Sequence, residues 1–103
     1  RDFTYVQNAV QANIKAMLDT PNLHSHEAIN IAVGERTTLI ELWEAIAQAA
    51  EIDIQPTFGP HRAGDIPHSL ASIQKAKDLI GYDPQYRITE GIKITYDWFK
   101  THF

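Results

Sequence analysis

A chain of 103 residues is one domain or part of one, and at 44% apolar and 10% aromatic it can bury a core, which argues against disorder. Nine basic and thirteen acidic residues give a formal charge of −4 without long runs of one sign, which excludes the basic stripe of a nucleic-acid surface. There is no apolar run of membrane-spanning length, no signal-peptide pattern and no Cys, so disulfides and thiolate metal sites are excluded and a reducing, cytoplasmic compartment is expected.

Val6, Ala9, Val10, Asn13, Ile14 and Met17 recur at helical offsets and share one face. This helix should stop near Asp19-Thr20, because Pro21 disfavours helical geometry just before it. After a polar loop over residues 20–27, residues 28–33 read as a short, largely buried strand closed by Gly34. Thr38 and Glu41 form a capping-box pair, and Leu39, Leu42, Trp43, Ile46 and Ala50 continue as a helical stripe. Ile52, Ile54 and Phe58 alternate with polar residues and predict a second short strand. Ser72 is placed to cap a helix running to Ile80, which Gly81 ends in a left-handed conformation, with Pro84 beyond. A last helix from about Thr89 carries Ile92, Tyr96, Phe99 and Phe103. The expected fold is α+β, mostly helical with short strands, in one (sub)domain over residues 1–103 without internal repeats.

Arg62-Ala-Gly-Asp65 follows the Gly59-Pro60 loop and puts a guanidinium, a flexible Gly and a carboxylate within four residues. An Arg can grip a diphosphate with paired N–H bonds, which the point charge of Lys cannot do as a planar fork. Asp65 could orient that Arg or accept from sugar hydroxyls. Five blocks now stand in order: Arg1-Asp-Phe-Thr-Tyr-Val6, Asn30-Ile-Ala-Val-Gly34, Thr37-Thr-Leu-Ile-Glu-Leu42, Arg62-Ala-Gly-Asp65, and Lys75-Ala through Leu79-Ile-Gly-Tyr-Asp-Pro84. Together they resemble the C-terminal substrate-binding region of extended short-chain dehydrogenase/reductases of the NAD-dependent epimerase/dehydratase family. Gly64-Asp-Ile-Pro-His-Ser69 and the opening block look most like UDP-N-acetylglucosamine and UDP-glucose 4-epimerases.

The resemblance implies a substrate-binding part that lacks the Rossmann domain. Arg1 and Arg62 match the two arginines that hold the nucleotide diphosphate, and Phe3 matches an aromatic beside the nucleotide. Leu39 matches an apolar residue near base or ribose, Asp65 a ribose partner, and Ser69 another nucleotide-proximal position. Gln7 and Ser72 depart from the family pattern, where Asp is usual at both places. The resemblance further implies a UDP-sugar as ligand and NAD as the cofactor of a longer parent protein, bound by its missing N-terminal domain. There it would take hydride from the sugar and return it. A homodimeric parent is implied as well, with no nucleic-acid or membrane partner. The chain starts at Arg1-Asp2-Phe3 without a Met, as a piece of a longer protein would.

No catalytic, cofactor-binding or metal-binding residue is assigned within the chain. The five glycines, at 34, 59, 64, 81 and 91, are too scattered to form a dinucleotide loop. Tyr96 and Lys100 have the Tyr-x-x-x-Lys spacing of the family's proton-transfer pair, but they lie after the blocks that should follow it. They are read as a core Tyr with a Lys one turn away. His24, His26, His61, His68 and His102 are read as solvated rather than as a metal site. Trp43 and Trp98 are assigned to core packing, and Asn30 to satisfying loop backbone groups. Arg36 is expected to pair with Glu35 or Glu41, and the acidic residues 41, 44, 51 and 53 to form a solvated face. The alternatives in the same family are a nucleotide-sugar dehydratase or decarboxylase; outside it, the alternative is a non-enzymatic helical interaction module.

Overall fold

The computed structural model describes residues 1–18, 26–66 and 68–103. Among them are four helices: α1 (Val6–Leu18), α2 (Leu39–Ala50), α3 (Gln74–Ile80) and α4 (Ile88–His102). Helix α2 packs on α4 and α1 on α3, and among the described residues no other pair of helices is in contact. The helix stop predicted near Asp19-Thr20 and residues 20–25 of the loop predicted at 20–27, Pro21 included, lie outside the described residues.

The helix boundaries follow their local chemistry. Thr38 Oγ1 accepts from Glu41 N–H at 3.1 Å, and the Glu41 carboxylate reaches back to Thr38 N–H at 3.4 Å, so the predicted capping box is formed. Helix α3 starts at Gln74 with Ile73, not the predicted Ser72, at the cap position; Ser72 Oγ accepts only a long 3.5 Å bond from Gln74 N–H. Gly81 ends α3 at φ +66°, as predicted, with its N–H turned back to the carbonyls of Ala76 and Lys77. At α4, the Glu90 carboxylate accepts from Arg87 N–H at 3.1 Å. Bonding to its own backbone N–H, then to Thr89 and Arg87, holds the Glu90 carboxyl below its ordinary value.

Neither predicted strand forms among the described residues. A strand is completed by a ladder with a neighbour, and here residues 28–33 and 52–58 find other partners. Ala32 is buried, with Ile29 and Ile31 packed beside it on the core of Ala12, Ile73, Ala76, Ile80 and Tyr82. The Tyr82 hydroxyl donates to Ala32 C=O at 2.6 Å and fastens the segment from the other side. The second segment is held by the Trp43 indole N–H, which donates to Ile54 C=O at 3.0 Å. The fold is therefore helical, with extended segments pinned individually.

A second correction concerns α1. The stripe read from the sequence is not the face that packs. Asn8 and Ala12 are buried, whereas Val6, Val10, Ile14 and Met17 are exposed. Asn8, wholly buried, donates to Tyr86 C=O at 2.8 Å and accepts from the N–H groups of Gln85 and Tyr86 at 3.0 and 3.2 Å. A short polar side chain thus does the packing, because the loop after α3 offers it three backbone groups to satisfy.

Burial raises the Tyr82 hydroxyl above its ordinary 10.0, and the charges of Asp2 and Asp83 add to the effect. The unfolded chain therefore ionises this group first as pH rises. Its contribution to stability is fully present below about pH 10 and is lost as pH climbs through the higher folded value. Alkaline unfolding followed by circular dichroism should accompany the rise in tyrosinate absorbance. Tyr82→Phe should remove that pH-dependent component while lowering neutral-pH stability by about 1 kcal/mol through loss of the Ala32 bond.

Gly91 sits where α4 crosses Tyr5. A Cβ at this position would meet Tyr5 Cβ at 2.8 Å and Cγ at 3.2 Å. Alanine gains about 1 kcal/mol of helix propensity over glycine, but forced overpacking costs about 1–3 kcal/mol. Since the opposing atom is the stem of Tyr5 and not a mobile tip, Gly91→Ala is expected to lower the unfolding free energy by up to about 2 kcal/mol, measured by urea denaturation.

Candidate functional site

The first candidate residues are positioned by a backbone pair. Thr37 N–H donates to Arg1 C=O at 2.7 Å, and the Arg1 nitrogen donates to Thr37 C=O at 2.8 Å. Thr37 is followed by the cap Thr38 and then Leu39, so Arg1 is fastened two residues before the apolar candidate on α2. Asp2 completes the clamp, its carboxylate accepting from Val33 N–H at 3.0 Å and Gly34 N–H at 2.8 Å. Gly34 has φ +83°, which suits a residue without a Cβ at this turn.

Phe3, half-buried, lines an open apolar cleft of about 360 Å³ with Val6, Leu42, Ile88 and Ile92. Leu39 is 70% exposed at the start of α2. Asp2 and Thr37 thus fasten the backbone of Arg1, next but one to Phe3, beside the turn that leads into Leu39; the cleft that Phe3 lines includes neither Arg1 nor Leu39. Sequence reasoning missed both organisers. The available signal was a carboxylate directly beside Arg1 together with a glycine turn that leaves N–H groups to be satisfied.

The second group stands apart on the long loop. Arg62 has an 86% exposed side chain, and its Nε lies 3.6 Å from Asp65 Oδ2, while Asp65 N–H donates to Arg62 C=O at 3.3 Å. Asp65 and Ser69 are exposed. Among the described residues, no hydrogen bond, ion pair or ring contact joins this loop to Arg1, Phe3 or Leu39. The loop offers a cation held weakly by one carboxylate, and an exposed pair of this kind contributes little to stability. Its guanidinium can be turned to an anionic ligand at small cost.

Several other expectations are resolved by the same geometry. Glu35 pairs with Arg87 at 3.0 Å and Glu41 is occupied by its cap, so Arg36 pairs with neither. Asn30 is exposed and satisfies none of the described loop backbone groups. Trp43 is half-buried against the 52–58 segment, but Trp98 is 50% exposed and stacked on His102 at 4.2 Å, outside the core. Tyr96 is half-buried and Lys100 exposed on α4. No group of three or more His, Asp or Glu side chains suited to a metal ion occurs among the described residues; His24 lies outside them. No described helix is long and apolar enough to cross a membrane.

No protein-family model matches the chain. Over 99% of its length it is 33% identical to a UDP-glucose 4-epimerase of Lacticaseibacillus casei, and over 97% it is 31% identical to that of Mycolicibacterium smegmatis. Each match covers 31% of the relative, so the chain spans about a third of the length of these curated proteins. Among solved structures, a UDP-N-acetylglucosamine 4-epimerase from Methanobrevibacter ruminantium M1, in complex with UDP-N-acetylmuramic acid, superposes with a TM-score of 0.85 at 35% identity. That superposition covers 100% of this chain and 32% of the other. A UDP-glucuronic acid 4-epimerase from Bacillus cereus shares the fold, with a TM-score of 0.89 at 24% identity over 100% of this chain and 32% of the other. Over nearly every residue the chain is similar in sequence and fold to one stretch of UDP-sugar 4-epimerases. The family resemblance carried by the five sequence blocks is borne out.

Proposed function

We propose that this chain is the nucleotide-sugar-holding part of an NAD-dependent UDP-sugar 4-epimerase acting on UDP-glucose or UDP-N-acetylglucosamine. The observation that carries the reading is the 31–33% identity to UDP-glucose 4-epimerases over essentially the whole chain. The exposed, weakly held Arg62 guanidinium supports it. Arg62 and Arg1 bind the diphosphate; Phe3 and Leu39 pack against base and ribose; Asp65 accepts from ribose hydroxyls, with Ser69 beside it. Binding energy collected at the UDP end is remote from the reacting carbon, so it can position the sugar while leaving the ring free to turn.

The residues of this chain do not fit a dinucleotide. Gly34, Gly64 and Gly81 have positive φ but belong to three separate turns, and Gly91 is packed against Tyr5. NAD is therefore assigned to a Rossmann domain in the remainder of the longer protein, which acts as a cytoplasmic homodimer. The proton-transfer pair belongs to that remainder too, since Tyr96 and Lys100 lie on α4 and are not among the residues that fasten Arg1. The test is calorimetric titration of the full-length protein with UDP, followed by an assay of 4-inversion on both sugars. Binding of UDP together with inversion supports the reading; failure of wild-type protein to bind UDP overturns it.

A further inference from the structure

The Arg1 guanidinium makes no hydrogen bond or ion pair among the described residues. Only the backbone of Arg1 is held, by the two bonds it exchanges with the buried Thr37. The carboxylate next to it in the chain, Asp2, is the obvious candidate to neutralise this arginine, yet it makes no ion pair with it. Both of its oxygens go to backbone instead, Oδ1 accepting from Val33 N–H at 3.0 Å and Oδ2 from Gly34 N–H at 2.8 Å. The guanidinium is left as an unspent cation on an anchored root.

The body to which Asp2 is tied is itself fixed. The residue before Val33, Ala32, is buried, and its C=O accepts from the buried Tyr82 hydroxyl at 2.6 Å. Gly34 sits at φ +83°, so close to Ile73 that a Cβ there would lie 3.3 Å from Ile73 Cδ1. Core side chains therefore hold the 32–34 turn from one side while Asp2 grips it from the other. A long side chain loses rotamer freedom when it engages a ligand, and a group held in place beforehand lowers the cost of binding. A moving root would add to that cost.

We propose that Asp2 is a positioning residue for diphosphate binding: by tying the 33–34 turn it fixes the root of Arg1 and leaves the guanidinium free for the ligand. The proposal rests on the reading of Arg1 as a diphosphate-binding residue and adds to it the group through which that arginine is placed. Without Asp2 the chain keeps Arg1 fastened at Thr37 alone and can pivot there. The direct effect of the charge runs the other way, since a carboxylate near a phosphate site repels the ligand, and removing it should help binding. Tying both oxygens to amide N–H groups softens that repulsion, so the loss of placement is expected to win.

The test is UDP calorimetry on the full-length protein, arranged as two double-mutant cycles, with thermal unfolding of every variant followed by circular dichroism. Arg1→Ala should weaken UDP binding roughly 10- to 150-fold and Asp2→Ala roughly 5- to 20-fold. Asp2→Asn, which keeps one acceptor for the turn, should recover part of that loss, and it serves for the cycles if Asp2→Ala does not fold. Asp2 acting through Arg1 makes the first cycle non-additive: once Arg1 is Ala, removing Asp2 should cost less than about twofold more. In an Arg62→Ala background the same substitution should keep its full effect. A merely structural Asp2 would lower the unfolding temperature in every background without this difference between cycles. Equal further losses in both backgrounds therefore overturn the proposal, and so does tighter UDP binding in both neutral variants. UDP binding that Arg1→Ala weakens but neither Asp2 variant changes removes the positioning role alone. Failure of the wild type to bind UDP removes the epimerase reading and the positioning role together.

Discussion

Asn8→Ala is expected to lower the unfolding free energy by about 2–4 kcal/mol, the largest loss for any polar side chain of the core. The substitution strands three backbone groups at once: the N–H of Gln85, and the N–H and C=O of Tyr86. A buried polar group left without its partner costs about 1–3 kcal/mol. Water can reach part of the loop, since Gln85 itself is exposed, so the costs do not sum in full. Asn8→Asp is the informative companion. It keeps an acceptor for the two N–H groups but sets a second oxygen against Tyr86 C=O. Its deficit should shrink as pH falls, because the protonated acid regains a donor. Urea unfolding of the wild type and both variants at neutral and acidic pH decides the matter. An Asn8→Ala loss below about 1 kcal/mol would show that the anchoring loop finds other partners.

Arg62→Ala is expected to weaken UDP binding by about 1.5–3 kcal/mol, the range for a lost charge-assisted bond, or roughly 10- to 150-fold in affinity. NAD affinity should stay nearly unchanged. Arg62→Lys should recover only part of the loss, because an ammonium keeps the charge without the planar fork. Calorimetry with UDP alone isolates the diphosphate contribution, as no reacting sugar is present. The guanidinium is exposed and its one ion pair is 3.6 Å long, so the substitution should leave thermal stability almost untouched. Wild-type UDP affinity in Arg62→Ala would reduce the Arg62–Asp65 turn to a structural feature.

The four helices were legible because their signals are local. A capping box at Thr38 and Glu41, and a left-handed glycine at position 81, act within a few residues of where they are read. The strands were misread because an apolar run at 28–33 and an alternation at 52–58 say nothing of the neighbour that a strand requires across the ladder, and Ile52, Ile54 and Phe58 are in fact exposed. Tyr82 and Trp43 take that place, from 50 and 11 residues away respectively. On α1 the periodicity located a helix correctly, but it could not tell which body would cover each face. Asn8 and Asp2 were passed over for the same reason, since their partners, Tyr86 and Gly34, lie 78 and 32 residues along the chain. The arginines were conspicuous in the sequence. What holds Arg1 in place was not.

The loop that carries Arg62 has a consequence for the timing of ligand exchange. It is anchored by the Trp43–Ile54 bond on one side and by the buried Ile73 on the other. Every described residue from Thr57 to Leu70 is exposed. Arg62 lies eight residue steps beyond Ile54, and at about 3.3–3.6 Å each they allow a reach of nearly 30 Å. Segments with so few buried contacts open at the low end of the local-stability scale. Drawing the arginine onto a diphosphate orders such a segment, so capture of the nucleotide should be enthalpy-driven and opposed by entropy. Under the proposed nucleotide-sugar-binding reading, escape of the ligand would be governed by how fast the loop lets go, and a shorter or stiffer segment between the two anchors would hold UDP longer.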